Sequence, residues 1–282
     1  MGSLDDTIKS ELNAQLTTIG KILGSDVMLI SSPILSGLDV RVRDAVERFP
    51  KHESALTIIL ETSGGVVEVV ERMVLTIRHF YNEVIFLVPN QAMSAGTVFA
   101  MSGDRILMNY FSFLGPIDPQ IEKNGVLVPA LSYLIQFERL NAKAAASTLT
   151  QAEYALVSKL DLGDLYIFEQ AKEHSRELLI NWLSTYKFKN WAKTETRQQP
   201  VDEAFRKSRA EEVAELLSKP ERWHSHARGI DMKTLQNEVR LQIEDFSKIE
   251  GLDKPLKEYY QLVRDYMERE KFYSFVHTKH YF

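Results

Sequence analysis

Two apolar runs, each broken by a glycine-bearing turn and each followed by a stretch of helical period, constrain this chain more than any other feature. Val84-Ile85-Phe86-Leu87-Val88 is apolar at every position, the pattern of a strand covered on both faces, because a strand with one wet face alternates. The run at 56–60 comes before it and breaks at Glu61-Thr62-Ser63-Gly64-Gly65; residues 66–80 then place Val69, Met73 and Ile77 on one helical stripe. Pro89-Asn90 closes the second run, a helix is expected to start near Ser94, and 105–108 reads as a further short strand. Alternation of this kind favours a parallel sheet with right-handed crossovers. With a strand at 27–30 and a helix at 39–49 stopped by Pro50, residues 27–118 read as one α/β core.

The flanks are helical in pattern. Ile8, Leu12, Leu16, Ile19 and Ile22 recur at spacings of three and four before Gly24, which predicts a leading amphipathic helix over 5–23. Residues 126–183 are almost free of strand patterns, 187–199 reads as a mobile loop or linker, 203–217 is helical, and a last helix is expected over 254–275. That helix carries Tyr259, Tyr260, Tyr266, Phe272 and Tyr273, an apolar area that must pack on the chain's own core or on another copy. The expected organisation is an N-terminal helix (1–24), a main domain (25–245) and a C-terminal helical extension (246–282).

Composition narrows the function classes. A net charge of −5 over 282 residues offers no concentrated cationic surface, so nucleic acid is not an expected partner. There is no cysteine, which excludes disulfides, thiolate metal sites and a cysteine nucleophile. No cofactor or metal is expected: His224 and His226 are spaced by two, but no acidic or cysteine partner stands at ligand spacing. No run of about 18 apolar residues provides a membrane span, and the acidic start is unlike a secretory signal. The expectation is a cytoplasmic protein.

In an open parallel sheet the strand ends at one edge face a common crevice, so Ser63-Gly64-Gly65 and Ala92-Met93-Ser94-Ala95-Gly96 are expected to be neighbours. Glycine lets the backbone approach a substrate with its amides turned outward, as an oxyanion requires. Gly65 and Ala95 are the candidate donors, with Gly64 supporting the turn. Ser94, at a helix start among small residues, suits an acyl-transfer nucleophile, while spacing alone favours the commoner N-cap role. Asp118, in Gly-Pro-Ile-Asp-Pro, is either a turn residue or an orienter of a base.

The stretch ETSGGVVEVVERMV, then VPNQAMSAGTVFAMSGDRILM and FLGPIDPQ, within residues 61–120, resembles the serine dehydrogenase proteinase family, relatives of signal peptide peptidase A and the Clp proteolytic subunit. The three motifs occur in that family's order and spacing. Trp223 to Ile230 is similar to its downstream Ser-His-Gly segment, with Ala227 replacing the usual glycine. The resemblance spans roughly residues 25–245. It implies an α/β fold of the Clp protease and crotonase type, a β-α superhelix with helical C-terminal additions. It implies Ser94 as nucleophile and the amides near Gly65 and Ala95 as oxyanion hole.

The implied activity is that of an ATP-independent serine peptidase acting on peptide or protein substrates, in a homo-oligomer commonly built from trimers. A Clp subunit carries a histidine about one strand after its serine, whereas Phe113-Leu114-Gly115-Pro116 has none. Signal peptide peptidases pair serine with a lysine on a later helix, and burial must lower that lysine's pKa before it can accept a proton. Lys159 matches that context, Lys143 and Lys172 are weaker candidates, and His226 is a further base or orienter. Two other classes stay open: a catalytically silent scaffold or binding module, and a crotonase-type acyl-coenzyme A enzyme that uses an acid or base in place of a serine.

Overall fold

The computed structural model describes residues 4–118, 120–123, 126–194, 197–223 and 228–282. The chain runs α1 (Leu4–Leu23), β1 (Asp26–Ser31), α2 (Leu38–Glu47), β2 (Ala55–Glu61), α3 (Val67–Phe80), β3 (Glu83–Leu87), β4 (Gln91–Ala92), α4 (Ala95–Met101), β5 (Arg105–Met108) and β6 (Phe113–Leu114). A β7 (Gln120–Lys123) and β8 (Val126–Pro129) hairpin leads to α5 (Ala130–Ala145), α6 (Gln151–Val157), α7 (Leu162–Trp182), α8 (Glu203–Leu217) and α9 (Pro220–Trp223). Then come β9 (Ile230–Asp231), α10 (Met232–Asn237), β10 (Glu244–Asp245), α11 (Asp253–Glu270) and β11 (Phe275–His277).

The main sheet has the order β10-β5-β3-β2-β1-β11, parallel throughout except for β11 at its edge. Its central strands β1, β2 and β3 are near-continuous apolar runs because both faces are covered. Met28, Ile30, Ile58, Leu60, Val84 and Phe86 point into a core closed by α2, α3, α4 and later helices. The intervening Val27, Leu29, Ile59, Ile85 and Leu87 point into a second core beneath α1 and α11.

Each strand then bends and starts a second, smaller ladder in the same order. Ile34 bridges Gly65, Thr62 bridges Ala92, β4 pairs with β6, and β6 pairs with β9. Repetition of strand, bend, second strand and helix is the Clp/crotonase-like superhelix. The bends after β2 and β3 lie side by side at its inner edge, where Thr62 N–H donates to Gln91 O and Met93 N–H to Thr62 O, both at 3.0 Å.

Three expectations are corrected. The last helix stops at Glu270, where Lys271 takes a left-handed φ of 56°, and Phe275–His277 returns to cover the open edge of β1, whose unpaired groups would otherwise template aggregation. Tyr259, Tyr266 and Phe275 are buried with Leu12, Leu16 and Ile19 in the chain's own core, whereas Phe272 and Tyr273 are exposed. The segment at 187–199 is no free linker in its described part: α7 continues through a π-helical turn at Leu183–Lys187, and Trp191 packs on Phe188 and Phe205. The β7–β8 hairpin stands where no strand pattern was read. Among the described residues no helix is long and apolar enough to cross a membrane.

Candidate active site

Ser94 joins β4 to α4 with φ 52° and ψ −116°, a conformation that costs a non-glycine residue roughly 1–3 kcal/mol and persists only where its surroundings enforce it. Those surroundings are glycines. A Cβ at Gly64 would lie 2.9 Å from Ser94 Cβ and 2.7 Å from Met93 O, and a Cβ at Gly115 would lie 2.9 Å from Ser94 N. Gly96, the second residue of α4, is held to hydrogen by Thr62 Cγ2, 2.3 Å from where a Cβ would sit. Thr97 secures the turn from below: its Oγ1 accepts from Gly115 N–H and lies 2.9 Å from the carbonyls of Ala92 and Gly115.

The Ser94 side chain makes no capping bond to α4. It is 1% exposed, and its Oγ–H donates to the Asp118 carbonyl at 2.9 Å. A cavity of about 670 Å³ opens beside it, lined by the N-terminal end of α3, the start of α4, Ile117 and one face of α7.

Two amides complete the arrangement. Ile34 N–H donates to Gly64 O and Val66 N–H donates to Ile34 O, so in this parallel bridge the N–H of Gly65 faces away from Ile34. Gly65 has φ +146°, and a Cβ there would lie 2.1 Å from Ile34 O, so only glycine fits. The N–H of Ala95, at the first position of α4, belongs to the unpaired group of a helix start. Among the described residues neither N–H donates a hydrogen bond, and Gly65, Ser94 and Ala95 line one cavity. A hydroxyl beside two free amides at a helix N-terminus can attack a carbonyl and hold the resulting oxyanion.

The remaining candidates lie elsewhere. Asp118 turns its carboxylate to the start of α5, where Oδ1 accepts from Leu131 N–H at 3.1 Å, and only its backbone meets Ser94. Lys159 is exposed in the segment between α6 and α7, its N–H bonded to Leu156 O, and it is not among the residues lining the cavity. Lys143 is paired with Glu153, whose carboxyl is drawn down to about 2 first by that lysine and then by the Thr150 N–H and hydroxyl. Lys172 does not line the cavity either. His224 and His226 lie outside the described residues.

The sequence reading missed His174. This residue lines the cavity from α7 with Nε2 3.2 Å from Glu71 Oε2 of α3. The available signal was the spacing of Ile167, Gln170, Ala171, His174 and Ser175 along one helical face.

Two uncharacterized proteins of Methanocaldococcus jannaschii are similar to the chain. MJ1495 is 27% identical over 148 residues, with 49% of each chain covered. MJ0137 is 32% identical over 143 residues, with 48% of each covered. The chain thus spans about half the length of the curated relatives it matches. Among solved structures, two variants of 1510-N, a membrane-bound stomatin-specific protease, are similar at a TM-score of 0.31. One is 24% identical, covering 41% of this chain and 58% of that one; the other, in complex with a substrate peptide, is 25% identical, covering 45% and 65%. Residues 29–199 match the ClpP-like SDH-type serine proteinases, a span that holds both glycine turns, Ser94 and the α7 wall, and the chain belongs to that family.

Proposed function

We propose that this protein is a serine peptidase that cleaves peptide bonds through an acyl-enzyme on Ser94. The observation that carries the reading is the Ser94 turn itself: a backbone strained into positive φ, enforced by two glycines, with two unpaired amides beside it at a cavity wall. Ser94 Oγ attacks the substrate carbonyl carbon, and the oxyanion is held by the N–H groups of Gly65 and Ala95. Collapse breaks the C–N bond, the amine leaves with the proton taken from Ser94, and water then hydrolyses the ester. A catalytic hydrogen bond is often formed only in the substrate complex, so the Ser94–Asp118 bond is one that a bound peptide must displace. Lys159 is the proposed proton acceptor, reaching Ser94 by movement of the α6–α7 segment. Exposed Tyr154, Leu156, Leu162, Tyr166 and Ile167 on that segment support assembly into a homo-oligomer.

The second reading, a silent scaffold, is favoured by one observation: the Ser94 hydroxyl donates to a carbonyl and, among the described residues, is bonded to no nitrogen base. Labelling with a fluorophosphonate separates the two. Ser94 should be modified, Ser94→Ala should abolish labelling, and Lys159→Ala should abolish it with the fold intact. An unlabelled wild-type protein under conditions where it binds peptide would leave the scaffold. Labelling retained in Lys159→Ala would remove that lysine from the mechanism.

A further inference from the structure

We propose that Glu68, Glu71 and Ser175 form a subsite of the Ser94 cavity that takes a lysine or arginine side chain of the substrate, an inference that names the substrate class of the peptidase reading. Glu68 and Glu71 stand at positions i and i+3 of α3 and so share one face, turned toward α7, where His174 meets Glu71 at 3.2 Å. Glu68 lines the cavity and is exposed, with no ion pair or hydrogen bond among the described residues. The residues lining this cavity include no lysine or arginine. Arg72, beside Glu71 in the chain, is committed to Asp39 at 2.7 Å.

A third acceptor points to a ligand independently of the carboxylates. Ser175 lines the cavity and is 2% exposed, and its hydroxyl, with no hydrogen bond to a described residue, is open to a ligand in the cavity. Glu68 lies in the first turn of α3, where the helix end contributes roughly half a positive charge. Two carboxylates outweigh that half charge, and among the described residues His174 is the basic group that meets them. The cavity is thus short of a cation.

Val67, Val98, Ile117, Ile167 and Ala171 give the cavity an apolar wall, beside the polar Ser36 and Gln170. An apolar channel with acidic and hydroxyl acceptors on its wall complements a side chain with an aliphatic stem and a cationic head. An aliphatic residue would leave the acceptors dry, and an acidic one would be repelled.

Binding to Ser94→Ala protein, which cannot turn substrate over, tests the subsite separately from the chemistry. Fluorescence anisotropy would compare peptides identical except for lysine, norleucine or glutamate at one position, with that position scanned along the peptide. At one position the lysine peptide should bind about five- to tenfold more tightly than the norleucine peptide, the scale of two solvent-accessible ion pairs, and added salt should shrink the difference. Glu68→Gln with Glu71→Gln should bring that ratio close to one, and Glu68→Lys should turn the preference toward glutamate. Equal binding of lysine and norleucine at every position, no binding of any peptide, or a preference that survives the double substitution would overturn the subsite. Lysine preference without fluorophosphonate labelling of the wild type would refute the peptidase and leave the subsite standing.

Discussion

His277 should make this protein acid-sensitive by an amount that the structure sets. It lies on β11, fully buried, with Tyr259 OH 2.7 Å from Nδ1 and Asn13 Oδ1 3.0 Å from Nε2. A neutral imidazole satisfies both contacts, with Nδ1 accepting from the phenol and Nε2–H donating to the amide oxygen. Burial, followed by the charge of Lys9, lowers its pKa from 6.5 to about 3. As pH falls below 6.5 the unfolded chain takes up a proton that the folded protein refuses, so the equilibrium shifts toward unfolding. The stability is intact above about pH 7 and declines as pH drops toward the folded value.

At about 1.4 kcal/mol per pH unit, the His277 contribution is a loss of about 2 kcal/mol at pH 5. That figure hardly depends on the folded value, provided it stays well below 5. Urea unfolding at pH 7.5 and pH 5.0, on the native protein and on His277→Gln, measures it. The substitution costs stability at both pH values, and the difference between the two pH losses cancels every other titrating group. An acid loss of equal size in both proteins would refute the assignment of a neutral, buried His277.

Two further outcomes follow from the Ser94 turn. Ser94→Gly should be about 1 kcal/mol more stable than Ser94→Ala by thermal unfolding, because glycine adopts positive φ without penalty; equal stabilities would mean the turn stores no strain. Gly64→Ala should retain the far-ultraviolet circular dichroism of the native protein while losing at least about tenfold in fluorophosphonate labelling rate, since its methyl group would press on Met93 O and Ser94 Cβ and displacement of an attacking group by about 1 Å is costly on that scale. Native labelling kinetics in Gly64→Ala would show that the contact is relieved without moving the serine.

The core elements were legible because each is specified by its own residues. β3 could be read from five consecutive apolar side chains, and α8 from its helical pattern over 203–217; the structure adds the Asp202 cap, whose Oδ1 accepts from Phe205 N–H. The end of α11 was not legible, because aromatic residues continue past Lys271 to Phe272, Tyr273 and Phe275 with no glycine or proline to mark the stop. The stop is imposed by the free edge of β1, 240 and more residues earlier in the chain. The packing at 187–194 was missed for a similar reason: Trp191 finds Phe188 and Phe205 only after α7 and α8 have come together.

At the site the division follows the same line. The positions where only glycine fits, and the serine between small residues, were visible in the linear motifs, since backbone curvature needs particular residue types at particular spacings. Sequence could not choose between cap and nucleophile for Ser94. The structure shows the side chain bonded to Asp118 O and away from the helix amides, which no local pattern encodes. His174, Glu71 and Ser175 sit on amphipathic helices where a polar residue usually means solvent. Their meeting depends on α7 crossing the open side of the cavity. Sequence by itself determined the parallel sheet, its two-sided burial and the glycine turns, because these rest on short-range sterics and on the period of apolar residues. Tertiary structure alone decided which side chains face Ser94, because that is fixed by the packing of helices about 80 residues apart in the chain.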